Sequence, residues 1–406
     1  MIRGVIVKKS KRVFDVVIVG GLGHAGLPLG LTFADKGFKV CLYDIDAKKG
    51  DLVKRGVMPF MEEGAKAILK KVIKNGKLKI STDIRSVSMA RYVIIAIGTP
   101  IDEYLNPKMR AFLEFFNGIK KYLSPQQIII VRSTVYPNTC RQMAMPRGQK
   151  KPLHVAYCPE RIVQGHAVKE LVELPQIVAG LTNKARKMAC ELFGRVSPKI
   201  INLSVEEAEL VKLFSNAWRY IQFATTNQFY MIAHNYGVEY NNVRKAMMEE
   251  YGRAAALPTA GFAAGPCLLK DTMQLAAFYG NNFHLGHAAM MINEGLPAFI
   301  VEGLKKKYDL NRVSVGILGM AFKADIDDTR DSLSYKLGKV LRFSGAKVYY
   351  SDEYAKDPTF ISKEKLISLS DVIIIGVPHS RYKGIAIPKH KEVIDLWGFI
   401  KYGAHP

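Results

Sequence analysis

Phe14-Asp-Val-Val-Ile-Val-Gly-Gly21-Leu-Gly23-His24-Ala25-Gly26 is the stretch that decides the fold. A short, β-rich apolar run passes directly into a glycine-rich turn, and a helix-like apolar segment follows. In that setting Gly21, Gly23 and Gly26 have separate tasks: a tight turn, close approach of main chain to a pyrophosphate, and close packing of helix on strand. The helix start then presents unpaired N–H groups and the positive end of its dipole to the phosphates. The spacing alone is a weak signal, and its setting strengthens it. Asp44 ends the next strand candidate about twenty residues on, where a carboxylate can bond the hydroxyls of an adenosine ribose. A carboxylate there would repel a 2′-phosphate, so the stretch reads as a site for NAD rather than NADP. Gly21, Gly23, His24, Ala25, Gly26 and Asp44 are its candidate residues. The competing readings are a plain tight turn for the glycines and a solvated loop acid for Asp44.

Working outward, short apolar runs alternate with amphipathic stretches through the first half of the chain. Phe14–Val19, Lys39–Tyr43, Tyr92–Ile97, Ile128–Arg132 and Leu153–Tyr157 are strand candidates. They are apolar throughout rather than alternating, as strands buried on both faces of a parallel sheet should be. Ser204-Val-Glu-Glu207 reads as a capping box, and neither proline nor glycine interrupts the chain from there to Gly237. That predicts one long helix joining two halves. A second αβ pattern starts at Val313, with the runs VSVGILG, AKVYYSD, DVIIIGVPH and EVIDLW. The expected fold is α/β: two Rossmann-like, doubly wound parallel-sheet domains joined by a central helical region. The expected boundaries are 1–203, 204–300 and 301–406.

The composition bounds the partners. The chain has 406 residues, and 59 Lys+Arg against 36 Asp+Glu give a net charge of +23. Such a balance suits nucleic acid, an acidic membrane surface or phosphorylated metabolites, with a solvated basic surface as the plain alternative. Nothing in the sequence resembles an RNA-binding signature, a zinc finger or a basic-aromatic repeat, which argues against nucleic acid. The five cysteines are odd in number and lack CxxC spacing, which fits a reducing compartment and neither a disulfide framework nor a metal site. The uncharged stretch Val16–Ala34 contains five glycines, a proline and a histidine, a poor composition for a membrane-spanning helix. The expectation is a cytoplasmic protein not inserted in a membrane.

Four further segments narrow the reading: Gly98-Thr99-Pro100, Arg132-Ser133-Thr134, Gly265-Pro-Cys267-Leu-Leu-Lys270-Asp271 and Phe322-Lys323-Ala-Asp-Ile-Asp-Asp-Thr-Arg330. Through them the chain resembles the UDP-glucose/GDP-mannose dehydrogenase family over nearly its whole length, and GPCxxKD is the most specific piece. The resemblance implies an NAD-binding N-terminal domain, a central helical dimerisation region and a C-terminal domain for the UDP-sugar. It implies a homodimer that uses NAD to oxidise the C6 hydroxyl of a UDP-sugar to a uronate for polysaccharide biosynthesis. The alcohol becomes an aldehyde, a thiolate traps it, and the thiohemiacetal is oxidised to a thioester that water hydrolyses.

Cys267 is the candidate nucleophile, because a thiol adds reversibly to an aldehyde and leaves again as thiolate, which serine does poorly. Its neighbours Lys270 and Asp271 lie within a turn of it and can help set its ionisation. Lys212 and Asn216 sit four residues apart on one face of the predicted long helix, and the resemblance makes them the donors that stabilise an oxyanion. Asn227, three turns along the same stripe, is expected to face the same pocket. The resemblance further implies that Asp271 is a base acting through water, that Glu160 serves thioester hydrolysis, and that Thr134 positions water. It adds Thr99 and Thr134 to the cofactor site and Glu160, Arg161, Lys212, Asn216 and Gly265 to the substrate site. Arg253, Lys323 and Arg330 are candidate partners of the sugar diphosphate, since a guanidinium can hold phosphate through two bonds; surface ion pairs are the alternative for these three.

Two signals point to different sugars. Family members acting on UDP-glucose carry NPEFLREG where this chain has Cys158-Pro-Glu-Arg-Ile-Val-Gln-Gly165, which looks more like enzymes acting on UDP-N-acetylhexosamines. Gln164 stands where a second glutamate is common. Yet Gly265-Pro-Cys267 resembles the UDP-glucose type. The CPER segment tips the expectation to a UDP-N-acetylhexosamine, with UDP-glucose as the alternative. A non-catalytic NAD- or nucleotide-sugar-binding protein is the rival of another class, but it would be expected to have lost the cysteine or the lysine.

Overall fold

In the computed structural model, residues 12–99, 101–144 and 153–400 are described; Pro100 of the Gly98-Thr-Pro100 motif lies outside them. The chain divides into two compact units, Met1–Phe214 and Ser215–Pro406.

The first unit is built on an eight-stranded sheet among the described residues. Its strands are β1 (Phe14–Val19), β2 (Val40–Tyr43), β3 (Leu78–Ser81), β4 (Ala90–Ile95), β5 (Ile128–Val131), β6 (His154–Tyr157), β7 (Gln176–Gly180) and β8 (Ile200–Asn202). They lie in the order β3-β2-β1-β4-β5-β6-β7-β8, parallel except for β6 against β7. The order reverses between β1 and β4, which opens a crevice at their carboxyl ends, where ligands bind in sheets of this kind. β1, β2, β4 and β5 are buried almost throughout, which is why their runs lack alternation. The expected strand Tyr92–Ile97 begins at Ala90 and stops at Ile95, leaving Ala96 and Ile97 to the loop. β3, β7 and β8 were not foreseen. β8 is only three residues long, and Lys79 of β3 is exposed, so neither makes an apolar run.

The capping box forms as expected. The Glu207 carboxylate accepts the Ser204 N–H at 2.7 Å, and the Ser204 hydroxyl accepts the Glu207 N–H at 3.2 Å. The helix it starts runs from Val205 to Tyr236 and stops before Gly237.

The second unit holds a four-stranded parallel sheet, β10-β9-β11-β12, among the described residues. Its strands β9 (Ser314–Leu318), β10 (Lys347–Ser351), β11 (Val372–Ile375) and β12 (Glu392–Ile394) fall in the four runs picked out by their composition. The helices Leu268–Phe278 and His284–Lys307 belong to the same unit. Asn227 requires a correction. It faces no pocket but is a fully buried cross-link. Its amide donates to Gly261 O at 3.0 Å and to Asn293 Oδ1 at 2.9 Å, and its Oδ1 accepts the Gly261 N–H at 2.8 Å. Burial without those bonds would cost more than they contribute, and they leave Asn227 nothing to offer a ligand. No helix of the described residues is long and apolar enough to cross a membrane.

At the carboxyl end of β10, Asp352 is a second buried centre. Its Oδ2 accepts the N–H groups of Met320 at 2.6 Å and Ala321 at 2.9 Å, and its Oδ1 accepts those of Tyr354 and Ala355, both at 2.8 Å. His379 Nε2 lies 3.0 Å from Oδ2. Burial pushes the carboxyl up, but the bond from His379 and the amides of Ala355 and Tyr354 outweigh it and bring it to about 2.

Two predictions follow from this architecture. Ser204→Ala removes one side of the capping box and should lower stability by about 1 kcal/mol, read as a lower denaturation midpoint; an unchanged midpoint would discard the cap. Asp352 has a folded value below its ordinary 3.8, so its contribution is present above about pH 4 and lost as pH falls towards 2. The difference corresponds to about 2 kcal/mol. Denaturation followed at pH 7 and pH 3 should show about half of that loss, and Asp352→Asn should be weaker at pH 7 with a flatter acid limb. An equally steep limb in the variant would remove Asp352 from the account.

Candidate functional site

The first unit gathers its candidate residues on loops at the carboxyl ends of its strands. Between β1 and the helix Gly26–Asp35 the chain turns so tightly that a Cβ on Gly26 would lie 2.2 Å from Gly20 O. A Cβ on Gly23, by contrast, would meet only Gly20 O, at 3.5 Å, so that face of the turn is open. The helix has no side-chain cap and no acid in its first turn. Open main chain in front of an uncapped N-terminus suits a pyrophosphate, so the residues present fit NAD. His24 packs against Phe60 with the rings tilted by 37° and their centroids 4.0 Å apart, which orients the turn. Asp44 at the end of β2 accepts the Leu22 N–H at 3.0 Å and the Asp46 N–H at 3.1 Å. One main-chain donor on each oxygen leaves lone pairs for ribose hydroxyls.

Beyond the crevice, the Thr99 hydroxyl donates to Thr134 O at 2.6 Å, and the Ser133 hydroxyl donates to Ile97 O at 2.7 Å. The loops after β4 and β5 are thereby tied together, which brings Thr99 and Thr134 side by side. Glu160 is brought to Arg132, a partnership that the sequence did not reveal. Arg132 is buried and donates through Nε to Glu160 Oε2 at 2.8 Å, with Nη2 2.6 Å from the same oxygen. Arg132 also donates to Gln176 Oε1 at 2.7 Å and Cys158 O at 3.1 Å. The other Glu160 oxygen accepts the N–H groups of Arg161 at 2.9 Å and Ile162 at 3.1 Å. Glu160 therefore shapes the Cys158–Gly165 turn, whatever else it does. Arg161 donates to Pro175 O, and burial lowers its guanidinium from its ordinary value. The signal that could have exposed Arg132 was a charged residue closing the apolar run Ile128–Val131.

In the second unit Cys267 is exposed and stands at the N-cap of the helix Leu268–Phe278. The other cysteines are buried or half-buried. One turn into that helix lies Asp271, fully buried. Its Oδ1 accepts Lys270 Nζ at 2.5 Å, and its Oδ2 accepts the Asn216 amide at 2.5 Å. Lys270 and Asp271 thus pair with each other, and Asp271 fixes Asn216 through one of that residue's two amide N–H groups. Lys212, four residues earlier on the long helix, is half-buried and makes no hydrogen bond or ion pair among the described residues.

Gly265 joins two motifs that are far apart in sequence. Its φ is +95°, a Cβ there would lie 2.5 Å from the Phe322 ring, and its N–H donates to Asp331 O at 3.2 Å. Any side chain would be strained by conformation and contact alike. The cysteine turn is thus seated on the loop bearing Lys323 and Arg330. Arg330 grips Asp328 through Nε at 3.0 Å and Nη2 at 2.6 Å, and that bond raises its guanidinium further, with Cys267 a lesser contributor. More than half of Arg330 stays exposed, so the ion pair leaves donors for a ligand. Arg253 is exposed, 6.0 Å from the Tyr251 ring, and no hydrogen bond or ion pair among the described residues ties it to either cluster.

The arrangement is an open, uncapped glycine turn beside the Asp44 carboxylate in one unit, and in the other an exposed thiol one turn from the buried Asp271, which binds Lys270 and Asn216. It agrees with what the chain is similar to. The NAD binding domain of the UDP-glucose/GDP-mannose dehydrogenase family matches residues 15–196, its central domain residues 206–295, and its UDP binding domain residues 316–402. A UDP-N-acetyl-D-mannosamine dehydrogenase of Pyrococcus horikoshii is 31% identical, with 95% of this chain and 96% of that one covered. A protein of the same name from Methanocaldococcus jannaschii is 32% identical over 90% of this chain and 86% of its own. The solved structure of the P. horikoshii UDP-D-ManNAc dehydrogenase superposes with a TM-score of 0.87 at 29% identity, covering 96% of each chain. With its fold, its cysteine turn and all three domains of the pattern in agreement, the chain belongs to the UDP-glucose/GDP-mannose dehydrogenase family.

Proposed function

We propose that this protein oxidises the C6 hydroxyl of UDP-N-acetyl-D-mannosamine to the carboxylate, using NAD and a covalent intermediate on Cys267. The observation that carries the mechanism is the exposed thiol at a helix N-terminus, one turn from Asp271, which orients Asn216. NAD supplies the hydride acceptor for both oxidations. Gly21, Gly23, His24, Ala25 and Gly26 seat its pyrophosphate, Asp44 its ribose, and Thr99 and Thr134 the nicotinamide end.

The first oxidation leaves an aldehyde at C6. Cys267 sulfur adds to that carbon, and the carbonyl oxygen gains the negative charge. The Lys212 ammonium and the remaining Asn216 N–H stabilise that oxygen, and in a dry site each such donor contributes about 3 kcal/mol to the barrier. Loss of the second hydride gives a thioester. Water adds to it, the C–S bond breaks, and the thiol and the carboxylate are released. Asp271 serves as base through a water while it holds Asn216 and Lys270 in place. Thr134 orients the hydrolytic water, and Glu160, braced by Arg132, shapes the segment beside it together with Arg161. Lys323, Arg330 and Arg253 hold the diphosphate, with Gly265 allowing its approach.

The choice of sugar rests on the two relatives named for UDP-N-acetyl-D-mannosamine and on Cys158-Pro-Glu-Arg161. The Gly265-Pro-Cys267 turn keeps UDP-glucose as the second reading. The long helix supports a homodimer. Phe214, Trp218, Phe229, Ile232 and Tyr236 are exposed, Trp218 by 60% and Tyr236 by 83%. Their offsets of four, eleven, three and four residues place them on one face of the helix. An uncovered apolar stripe of this kind marks an association surface.

The protein with NAD and a panel of UDP-sugars should form two NADH per UDP-N-acetyl-D-mannosamine consumed. Cys267→Ser should form no carboxylate while binding NAD as before; full acid production by that variant would refute the covalent route. Trp218→Glu should shift the protein from dimer to monomer in sedimentation, since anchoring tryptophans contribute about 2 kcal/mol or more to an interface. A wild-type protein already monomeric at micromolar concentration would refute the dimer.

A further inference from the structure

The two sheets treat one position differently. Asp44 ends the strand beside β1, and Asp352 ends the strand beside β9, each facing the loop that leaves its sheet's first strand. Asp44 accepts one main-chain N–H on each oxygen. Asp352 accepts four, together with His379, and its side chain is wholly buried. A carboxylate so occupied has no capacity left for a ribose. Its bonds to Met320 and Ala321 instead pin the start of the loop that carries Lys323.

His379 pins the same loop at a second point. It is fully buried, and its Nδ1 accepts the Asp325 N–H at 2.9 Å. An accepting Nδ1 fixes the tautomer with the proton on Nε2, which then donates to Asp352. Asp325 has a φ of +58°, costly for a residue with a Cβ. It is held there by His379 on its N–H and by Ser380, whose N–H and hydroxyl donate to the Asp325 carboxylate at 2.8 and 2.9 Å. Tyr354 and Tyr382 meet the imidazole edge-on, with centroids 5.0 and 5.4 Å away, so the ring has one orientation. The Phe322 N–H donates to Asp328 O at 2.9 Å and closes the loop. Lys323 sits between the clamps, two residues from Ala321 and two from Asp325.

We infer that His379 is a positioning residue for the nucleotide-sugar: buried and touching no ligand, it bridges Asp352 and the Asp325 main chain and thereby aims Lys323 at the diphosphate. The inference rests on the proposal that Lys323 binds that diphosphate. A loop with one clamp removed samples other conformations, and ligand binding must then order it again.

The test uses the full-length protein with UDP in calorimetry and the UDP-sugar and NAD in steady-state kinetics. His379→Ala, and His379→Gln in case the first variant folds poorly, should weaken UDP and raise the KM for the UDP-sugar by about tenfold. The KM for NAD and kcat should stay within about twofold. His379→Asn, whose carboxamide oxygen can accept the Asp325 N–H, should recover part of the loss. The inference is overturned if the His379 variants bind UDP as the wild type does while Lys323→Ala binds it weakly. It is overturned equally if they lose kcat and both KM values together with thermal stability, the signature of a general folding defect. Should Lys323→Ala leave UDP binding unchanged, or the wild type bind no UDP, the assignment of the diphosphate site itself fails, and this inference with it.

Discussion

A loop that leaves the carboxyl end of a sheet's first strand exposes main-chain N–H groups, and both units of this protein satisfy some of them with a carboxylate. Each uses an aspartate at the end of the adjacent strand. A carboxylate has about four acceptor sites, so the number it spends on its own chain decides what remains for a ligand. Asp44 spends two and keeps a free edge beside an open glycine turn. Asp352 spends all of them and becomes part of the scaffold. A single physical device, a carboxylate capping the first loop of a sheet, yields an open edge at the proposed cofactor site in one unit and a clamp in the other.

The same accounting separates the proposed nucleophile from its surroundings. Cys267 is exposed at the start of a helix, whereas the groups that frame it are buried and committed. Asp271 is pinned by Lys270 and Asn216, and Gly265 is locked against Phe322. Breaking a buried pair of this kind leaves an uncompensated charge and is strongly destabilising, which keeps the donor geometry stiff.

Much of this was legible in the sequence because short-range rules governed it. The glycine turn, the capping box at Ser204, the uninterrupted helix to Tyr236 and the four apolar runs after Val313 are each set by residues within a few positions of one another. What escaped reading was set by distant partners. β3 and β8 form the two edges of the sheet, where a strand need not be apolar. Arg132 looked like part of a motif, yet its role comes from Glu160 and Gln176, 28 and 44 residues away. Asn227 was misread because helical spacing placed it on the stripe of Lys212 and Asn216. Spacing describes a face only as far as that face meets one environment. Over the eleven residues from Asn216 to Asn227 the helix passes to a different one, where the loop at Gly261 and the helix bearing Asn293 close over it. Periodicity therefore locates a side chain on its own helix, and only the tertiary contacts decide whether that side chain meets ligand or protein.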